Sequence, residues 1–194
     1  MERKDDTNDT VQETPKRIWG MPPFLKEVID WVLVLAIAVG VTYVIRSFVF
    51  TMVVVEGPSM QHTLESGDKL GVVRLGYTPK AGDIVVFYPH GNKSRPYIKR
   101  VIATGGQTVE IHDSSVFVDG KELEEPYLGS PTTNPGNQIY PLIIPEGYIF
   151  AMGDNREHSL DSRSKEVDLV PEKDIVGKAW FRLMPFDRFG SLYK

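Results

Sequence analysis

Residues 97–104 read Tyr-Ile-Lys-Arg-Val-Ile-Ala-Thr (YIKRVIAT), a run rich in β-branched residues that contains neither glycine nor proline. A run of this kind is typical of a β-strand. Because the side chains of a strand alternate between its two faces, Lys99 lies on the same face as Tyr97 and Val101. The run therefore predicts a strand that carries a lysine among mostly apolar neighbours.

Similar short runs occur on both sides of this strand, separated by Gly, Pro, Asn and Asp. They are Met52–Val55, Lys69–Arg74, Asp83–Tyr88, Thr108–Ile111, Val116–Val118, Tyr148–Met152 and Ile175–Leu183. Asp119-Gly120 is a typical hairpin turn. We predict a mostly β fold, with a compact, partly open barrel-like domain over residues 51–194 and a loop or small extension around 108–147.

The N-terminal part of the chain is of a different kind. Residues 1–27 are largely polar, and no charged residue interrupts Trp31–Ile45. That uncharged run gives about 22 Å of helix against a hydrocarbon core of roughly 30 Å, and continuing it to residue 50 makes one span plausible. A buried helix of a soluble protein, the alternative, normally keeps one polar stripe. We predict a single transmembrane anchor at 28–50, with residues 1–27 cytoplasmic and the β-domain extracytoplasmic, because basic residues precede the span.

Composition excludes several classes of function. The chain has 194 residues, a formal net charge of −4 and no cysteine. A surplus of acidic residues argues against nucleic acid as a partner. The absence of cysteine excludes disulfides and a thiolate nucleophile. The polar segment after residue 153 does not match the spacing of a calcium loop, so we predict neither a metal nor a cofactor.

A serine and a lysine are the best candidates for chemistry. Ser59 lies in a turn-forming segment directly after an apolar run, and the four histidines are scattered in polar loops. A lysine acts as a base only when neutral, and at the reference pKa of about 10.4 roughly one in 2500 is neutral at pH 7. Burial lowers the pKa of a lysine. The simpler alternatives are a solvated turn serine and a lysine whose stem lies along the surface.

A third polar cluster follows the apolar run Tyr148–Met152. It reads GDNREHSLDSR over residues 153–163. In an extended conformation Ser159, Asp161 and Arg163 share one face. An ion pair between Asp161 and Arg163 would hold a neighbouring serine near the base.

With these segments the chain resembles the type I signal peptidases, membrane-anchored Ser/Lys endopeptidases that remove signal peptides from exported preproteins. Four stretches carry the resemblance, in the order found in that family and after one N-terminal span. They are Glu56–Leu64 (EGPSMQHTL), Gly82–Val86 (GDIVV), Tyr97–Gly106 (YIKRVIATGG) and Gly153–Arg163 (GDNREHSLDSR).

The resemblance implies a role for each motif residue. Ser59 is expected to be the nucleophile and Lys99 the general base, with Ser159 hydrogen-bonded to the lysine amine. Asp161 and Arg163 are expected to form the supporting ion pair, and Asp154 and Arg100 match positions of supporting role. The walls of shallow apolar subsites are expected to be Val55, Met60, Leu64, Tyr97 and Ile98.

Three positions of this chain bear on how closely it follows the family. Some members carry a serine hydroxyl two residues before the nucleophile, as a second oxyanion donor, where this chain and other members have Gly57. His62 stands where the family usually has proline. Residues 164–170 lack the glycine expected before the last strand. None of these positions is Ser59 or Lys99.

The resemblance implies an endopeptidase at the outer surface of the cell membrane, whose partners are membrane lipid and preprotein signal peptides with small residues before the cut. Trp180, Phe181, Met184 and Phe186 are expected to contact lipid headgroups in part. Two alternatives stay open. A self-cleaving repressor-type protease also uses Ser and Lys but would need a DNA-binding module. A tethered β-domain could bind extended peptides without cutting them.

Overall fold

The computed structural model describes residues 22–44, 50–130 and 132–193. The chain divides into two compact units, residues 1–42 and residues 43–194. The first unit contains most of α1 (Pro23–Val44), whose described side chains are exposed.

The structure does not confirm the transmembrane anchor predicted at 28–50. Over the described ranges, no helix combines the length and the apolar character needed to cross a membrane. Glu27 and Asp30 lie within α1, so its uncharged part, residues 31–44, gives about 21 Å of helix against a hydrocarbon core of roughly 30 Å. Residues 45–49 of the predicted anchor and residues 1–21 of the predicted tail lie outside the described residues.

The second unit is built from short β-strands, which confirms the mostly β prediction. They are β1 (Phe50–Val54), β2 (Lys69–Val73), β3 (Ile84–Phe87), β4 (Tyr97–Thr104), β5 (Thr108–His112), β6 (Ser115–Val118), β7 (Lys121–Glu122), β8 (Leu142–Ile143), β9 (Tyr148–Met152), β10 (Val170–Pro171), β11 (Ile175–Met184) and β12 (Gly190–Ser191).

Most strands form one antiparallel sheet in the order β1-β2-β11-β3-β4-β9-β10, with β12 paired to β11. Register shifts interrupt the pairing of β11 with β2 and β3, and of β4 with β9. Such bulges bend strands and increase their twist. The two ends of the strand order, β1 and β10, pair with only one neighbour each among the described strands, so the sheet is open, as predicted.

The segment around 108–147 contains a second sheet, in the order β7-β6-β5-β8. The turn between β6 and β7 is formed by Asp119 and Gly120, with φ angles of 52° and 73°. Positive φ at both central residues is the requirement of the hairpin turn expected from Asp-Gly.

One core cluster supports the segment that carries Ser59. It contains Val55, Met60, Leu64, Leu70, Val72, Ile84, Val86, Ile98 and Ala179, all buried. Residues before and after Ser59 therefore pack into the same core as β2, β3 and β4. Packing on both sides fixes the turn relative to β4, which carries Lys99.

Candidate active site

The turn that carries Ser59 is held by backbone hydrogen bonds. Gly57 has a φ of 85°, a left-handed conformation that glycine adopts without a steric penalty. The Asn155 N–H donates to the Ser59 carbonyl oxygen at 3.0 Å, which ties the turn to the segment after β9. Among the described residues, nothing accepts a hydrogen bond from the Ser59 N–H. That N–H is therefore available to a substrate oxygen.

Lys99 lies near the middle of β4 and only 4% of its surface is exposed. Its Nζ atom donates a hydrogen bond to Ser59 Oγ at 2.8 Å. The same Nζ lies 5.3 Å from the centre of the Tyr97 ring. The two candidate residues, 40 positions apart in sequence, are thus in direct contact.

Burial lowers the pKa of Lys99 to about 8, although the charges of Asp161 and Asp154 act in the opposite direction. Among the described residues, no carboxylate forms an ion pair with the Lys99 amine. A lysine with a pKa of about 8 is neutral in roughly one molecule in ten at pH 7. A lowered pKa of this kind is what a lysine needs in order to act as a base near neutral pH.

Arg100 points to the other face of β4 and forms a buried ion pair with Asp154. Its Nε donates to Asp154 Oδ1 at 2.9 Å and its Nη2 to Asp154 Oδ2 at 2.6 Å. Thr63 Oγ1 donates to the same carboxylate at 2.5 Å. The pair therefore joins β4 to both the serine segment and the segment after β9.

Asp161 and Arg163 form a second buried pair. Arg163 Nε and Nη2 each donate to the Asp161 carboxylate at 2.8 Å. Burial acts to raise the pKa of Asp161, but the hydrogen bonds and charge of Arg163 outweigh it and leave the pKa below its usual value. Asp161 Oδ2 also accepts the Gly153 N–H at 3.0 Å. The ion pair therefore holds the segment that includes Ser159.

The hydrogen bond expected between Ser159 and the Lys99 amine is not formed in this structure. Ser159 Oγ is buried, and instead of the lysine amine it faces the Asp161 carboxylate, whose pKa it helps to lower. It lies beside Gly153, where an added Cβ would collide with the Ser159 side chain and the Ser59 carbonyl oxygen. A glycine at 153 is thus what lets the loop approach the nucleophile.

A cleft of about 240 Å³ opens at the Ser59–Lys99 pair. Four of the expected wall residues line it, namely Val55, Met60, Tyr97 and Ile98. Leu64 does not, because it is fully buried in the core cluster described above. Glu56, Pro58, Arg95, Pro96 and Leu160 line the cleft and were not among the expected walls.

This chain is similar to known proteins along most of its length. The family described as signal peptidase, peptidase S26, matches residues 28–184. Signal peptidase IB of Staphylococcus aureus (strain COL) is 34% identical over 186 residues, covering 84% of this chain and 93% of the relative. Probable signal peptidase I-1 of Synechocystis sp. is 37% identical over 179 residues, 87% of each chain. A crystal structure of a signal peptidase I from Enterococcus faecalis V583 is 30% identical, with a TM-score of 0.44, and the similarity covers 53% of this chain and 97% of that one.

The chain belongs to the signal peptidase family. It is therefore a serine endopeptidase. The residues matched by the family include Ser59, Lys99 and the whole segment from Gly153 to Arg163.

Sequence reasoning missed several residues that organise the site of this signal peptidase. Arg156 is buried and bonded to Glu125 and to Thr133 Oγ1, which ties the loop before β8 to the segment after β9. Thr63 and Gly153 lay within recognised motifs, but only their contacts reveal what they do. Glu125 and Arg156 are 31 positions apart, and no local pattern in the sequence links them.

Two departures from the family pattern have a structural counterpart in this signal peptidase. His62 lies beside Gly129, where an added Cβ would collide with the His62 ring. Asp168 has a φ of 57°, in the segment that lacks the expected glycine. Aspartate is among the residues that adopt this left-handed conformation most readily, so it can take a backbone role that glycine usually has.

Proposed function

We propose that this signal peptidase cleaves N-terminal signal peptides from preproteins with Ser59 as nucleophile and neutral Lys99 as general base. The observation that carries the proposal is the 2.8 Å contact between Ser59 Oγ and a buried lysine whose pKa is lowered to about 8. Direct contact with a base is the requirement for activating a serine hydroxyl.

The geometry suits both halves of the reaction. The Ser59 hydroxyl gives its proton to neutral Lys99 as Oγ attacks the scissile carbonyl carbon. The Ser59 N–H binds the resulting oxyanion, a contact worth about 2.7–4 kcal/mol per donor. Protonated Lys99 then gives its proton to the leaving amine, which departs and leaves an acyl-enzyme. Neutral Lys99 next takes a proton from the water that hydrolyses this ester.

The cleft favours small residues and an extended substrate. It has a volume of about 240 Å³, and the buried side chains of Val55 and Met60 form part of its wall. β1 pairs only with β2 among the described strands, so its other edge can accept a substrate strand. Main-chain bonds would then supply affinity and shallow subsites would supply specificity.

We also propose that cleavage occurs at the outer membrane surface, with the N-terminus in the cytoplasm. Four exposed apolar side chains support this location. Trp180, Phe181, Met184 and Phe186 are 48%, 38%, 37% and 78% exposed, and aromatic side chains are favoured at membrane interfaces. In the full chain, Trp180→Ser with Phe186→Ser should slow cleavage of a vesicle-bound preprotein but not of a soluble peptide. Equal rates on both substrates would count against the location.

The central experiment uses the detergent-solubilised protein and a preprotein with an A-x-A site before the cut. Wild type should release the mature protein with a single new N-terminus, identified by mass spectrometry. Ser59→Ala and Lys99→Ala should release none. Binding of the preprotein without cutting would favour a peptide-binding protein instead, and cutting by Lys99→Ala would mean that another group is the base.

A further inference from the structure

A cavity of about 570 Å³ lies apart from the catalytic cleft. Among the described residues, none lines both the cavity and the cleft. Three arginines and a histidine line this arginine cavity, and no carboxylate among the described residues does. They are His62, Arg100, Arg182 and Arg188. The cavity is therefore a separate place on the β-domain with a cationic lining.

The charges of Arg182 and Arg188 are only half neutralised within the protein. Arg182 Nε lies 2.9 Å from Asp68 Oδ2, and Arg188 Nη2 donates to Asp68 Oδ1 at 2.7 Å. Among the described residues, no second carboxylate pairs with either guanidinium. Asp187, next to Arg188 in sequence, is exposed and does not line the cavity. Two positive charges thus share one fully buried carboxylate, which leaves a local excess of about one positive charge.

One of the two guanidiniums is fixed and the other is accessible. Only 15% of the Arg182 side chain is exposed, and its Nη2 donates to the Thr63 carbonyl oxygen at 2.5 Å. The Arg188 side chain is 38% exposed. Its bond to Asp68 uses one of the five N–H donors of a guanidinium. An anion in the cavity would meet a preorganised arginine and a second arginine with donors to spare.

The rest of the lining is mixed. Arg100 adds no net charge, because it is paired with Asp154. His62 is exposed and has ring nitrogens that donate or accept hydrogen bonds, where the proline usual in the family has none. Pro126 and Leu192 add apolar surface. A volume of about 570 Å³ is in the range of cavities that hold organic ligands, and exceeds what a bare inorganic anion fills.

We propose that the arginine cavity binds a phosphate monoester, whose phosphate group contacts Arg182 and Arg188 and whose organic part lies against Pro126 and Leu192. A monoester carries about −1.5 to −2 charges at pH 7 and has three acceptor oxygens. Two guanidiniums on different segments offer more donors than the two oxygens of a carboxylate accept, whereas a phosphate group has an oxygen for each. Binding uses neither Ser59 nor Lys99, so the inference is independent of the proposed function.

The test measures the Kd of the full chain in a non-ionic detergent, by isothermal titration calorimetry at constant ionic strength. The probes are glycerol 3-phosphate, inorganic phosphate and the dicarboxylate glutarate. We expect glycerol 3-phosphate to bind about ten-fold more tightly than glutarate, and more tightly than inorganic phosphate because its organic part has contacts as well. Tighter binding of glutarate or of inorganic phosphate, or no measurable binding of glycerol 3-phosphate, would overturn the assignment.

Arg188→Gln is the central variant and Lys121→Gln its matched control. Both remove one positive charge, but Lys121 lies in β7 of the second sheet. Arg188→Gln should raise the Kd for glycerol 3-phosphate about ten-fold, and Lys121→Gln should leave it unchanged. An equal loss of affinity in the two variants would mean a general attraction of anions and would overturn the site.

Two further variants guard against an effect of misfolding. Arg188→Lys keeps the charge and loses the forked donors, so its Kd should lie between those of wild type and Arg188→Gln. His62→Leu removes a donor at the wall and should raise the Kd by about two- to five-fold. Wild-type affinity in both variants would overturn the proposed contacts.

A lipid and a soluble metabolite can both supply a phosphate monoester, and one more probe distinguishes them. Phe186 and Phe189 flank Arg188 in the turn after β11 and are 78% and 60% exposed, so acyl chains would find apolar contacts near the cavity. Dihexanoyl phosphatidic acid should bind more tightly than glycerol 3-phosphate if the ligand is a lipid headgroup, and more weakly if it is soluble. In either case Arg188→Gln must weaken binding, since otherwise the site is overturned.

Discussion

Lys99 and Arg100 are adjacent on β4, equally buried and opposite in chemistry. Arg100 is 6% exposed, makes two hydrogen bonds to Asp154, and its guanidinium lies 3.8 Å from the centre of the Tyr127 ring. Burial acts to lower the pKa of Arg100, but the bonds and charge of Asp154 outweigh it and the pKa is raised. Lys99 has only the Ser59 hydroxyl as a hydrogen-bond partner among the described residues, and burial lowers its pKa to about 8.

The contrast shows that burial destabilises the charged form of a side chain, and that an ion-pair partner decides whether the side chain keeps its proton. A buried cation with a carboxylate in contact keeps its proton, and one without it tends to lose the proton. Alternation along one strand places both cases at neighbouring positions: a permanently charged arginine and a lysine that loses its proton at a pH near 8.

The largest expected effect comes from removing the amine of Lys99, the proposed base. Lys99→Met keeps the length of the side chain and removes the amine, so it should lower kcat by about 10⁴-fold, the upper range for general-base catalysis. The melting temperature measured in the same detergent should not fall. A variant that keeps more than a tenth of wild-type kcat would show that Lys99 is not the base.

Breaking the Arg100–Asp154 ion pair should lower the stability of the fold. Asp154→Asn leaves the buried Arg100 charge without a counter-ion and should lower the free energy of unfolding by about 3–5 kcal/mol, measured by urea denaturation. The double variant Arg100→Met with Asp154→Leu removes both charges and should be less destabilised than the single one. If the double variant is less stable than Asp154→Asn, the ion pair stabilises the fold beyond the mutual neutralisation of its two charges.

A smaller effect on stability should depend on pH. The pKa of Lys99 is about 8 in the folded protein and about 10.4 in an unfolded chain. Below pH 8 both states hold the proton, and the folded state bears a cost of about 3 kcal/mol. As the pH rises from 8 to 10.4, the unfolded state holds a proton that the folded state has lost, so this cost disappears. Lys99→Met should therefore exceed wild type in stability at pH 7 and lose that advantage by about pH 10.

The rate of cleavage should fall as the pH is lowered, because Lys99 takes up a proton. Neutral Lys99 falls from about half of the molecules at pH 8 to about one in a hundred at pH 6. We expect kcat/KM for a soluble peptide to fall about 50-fold over that range. A rate that is flat from pH 8 to pH 6 would assign the base to a group with a lower pKa.

The sequence predicted the strands of five or more residues better than the shortest ones, and the structure brings Ser59 and Lys99 into contact. β4 and β9 were predicted residue for residue, because each run is rich in β-branched or aromatic residues and contains neither glycine nor proline. The strands of two residues, such as β8, were missed because two residues have no period. Leu64, expected on the cleft wall, is buried in the core instead, because a motif does not tell which side of a turn faces the core.

Ser159 shows most clearly what motif and structure each contribute. The motif indicates its importance, whereas the structure shows a buried hydroxyl that makes no hydrogen bond of regular geometry and lies near the Asp161 carboxylate. A buried hydroxyl without a well-formed hydrogen bond contributes little to stability, so Ser159→Ala should change the melting temperature little. Ser162 is the matched control, since its buried Oγ accepts the Ala151 N–H at 3.1 Å and Ser162→Ala should lower it.

Ser159→Ala should have a larger effect on catalysis than on stability. If Ser159 Oγ bonds the Lys99 amine only when that amine is neutral or a substrate is bound, Ser159→Ala should lower kcat by about ten-fold while KM changes little. The apparent pKa of the rate profile should shift as well, because the lysine loses a partner. A fall in stability equal to that of Ser162→Ala, without a shift of the profile, would make Ser159 a structural residue. An unchanged melting temperature, with a slower enzyme and a shifted profile, would instead show that the Ser159 hydroxyl acts on Lys99 during the reaction.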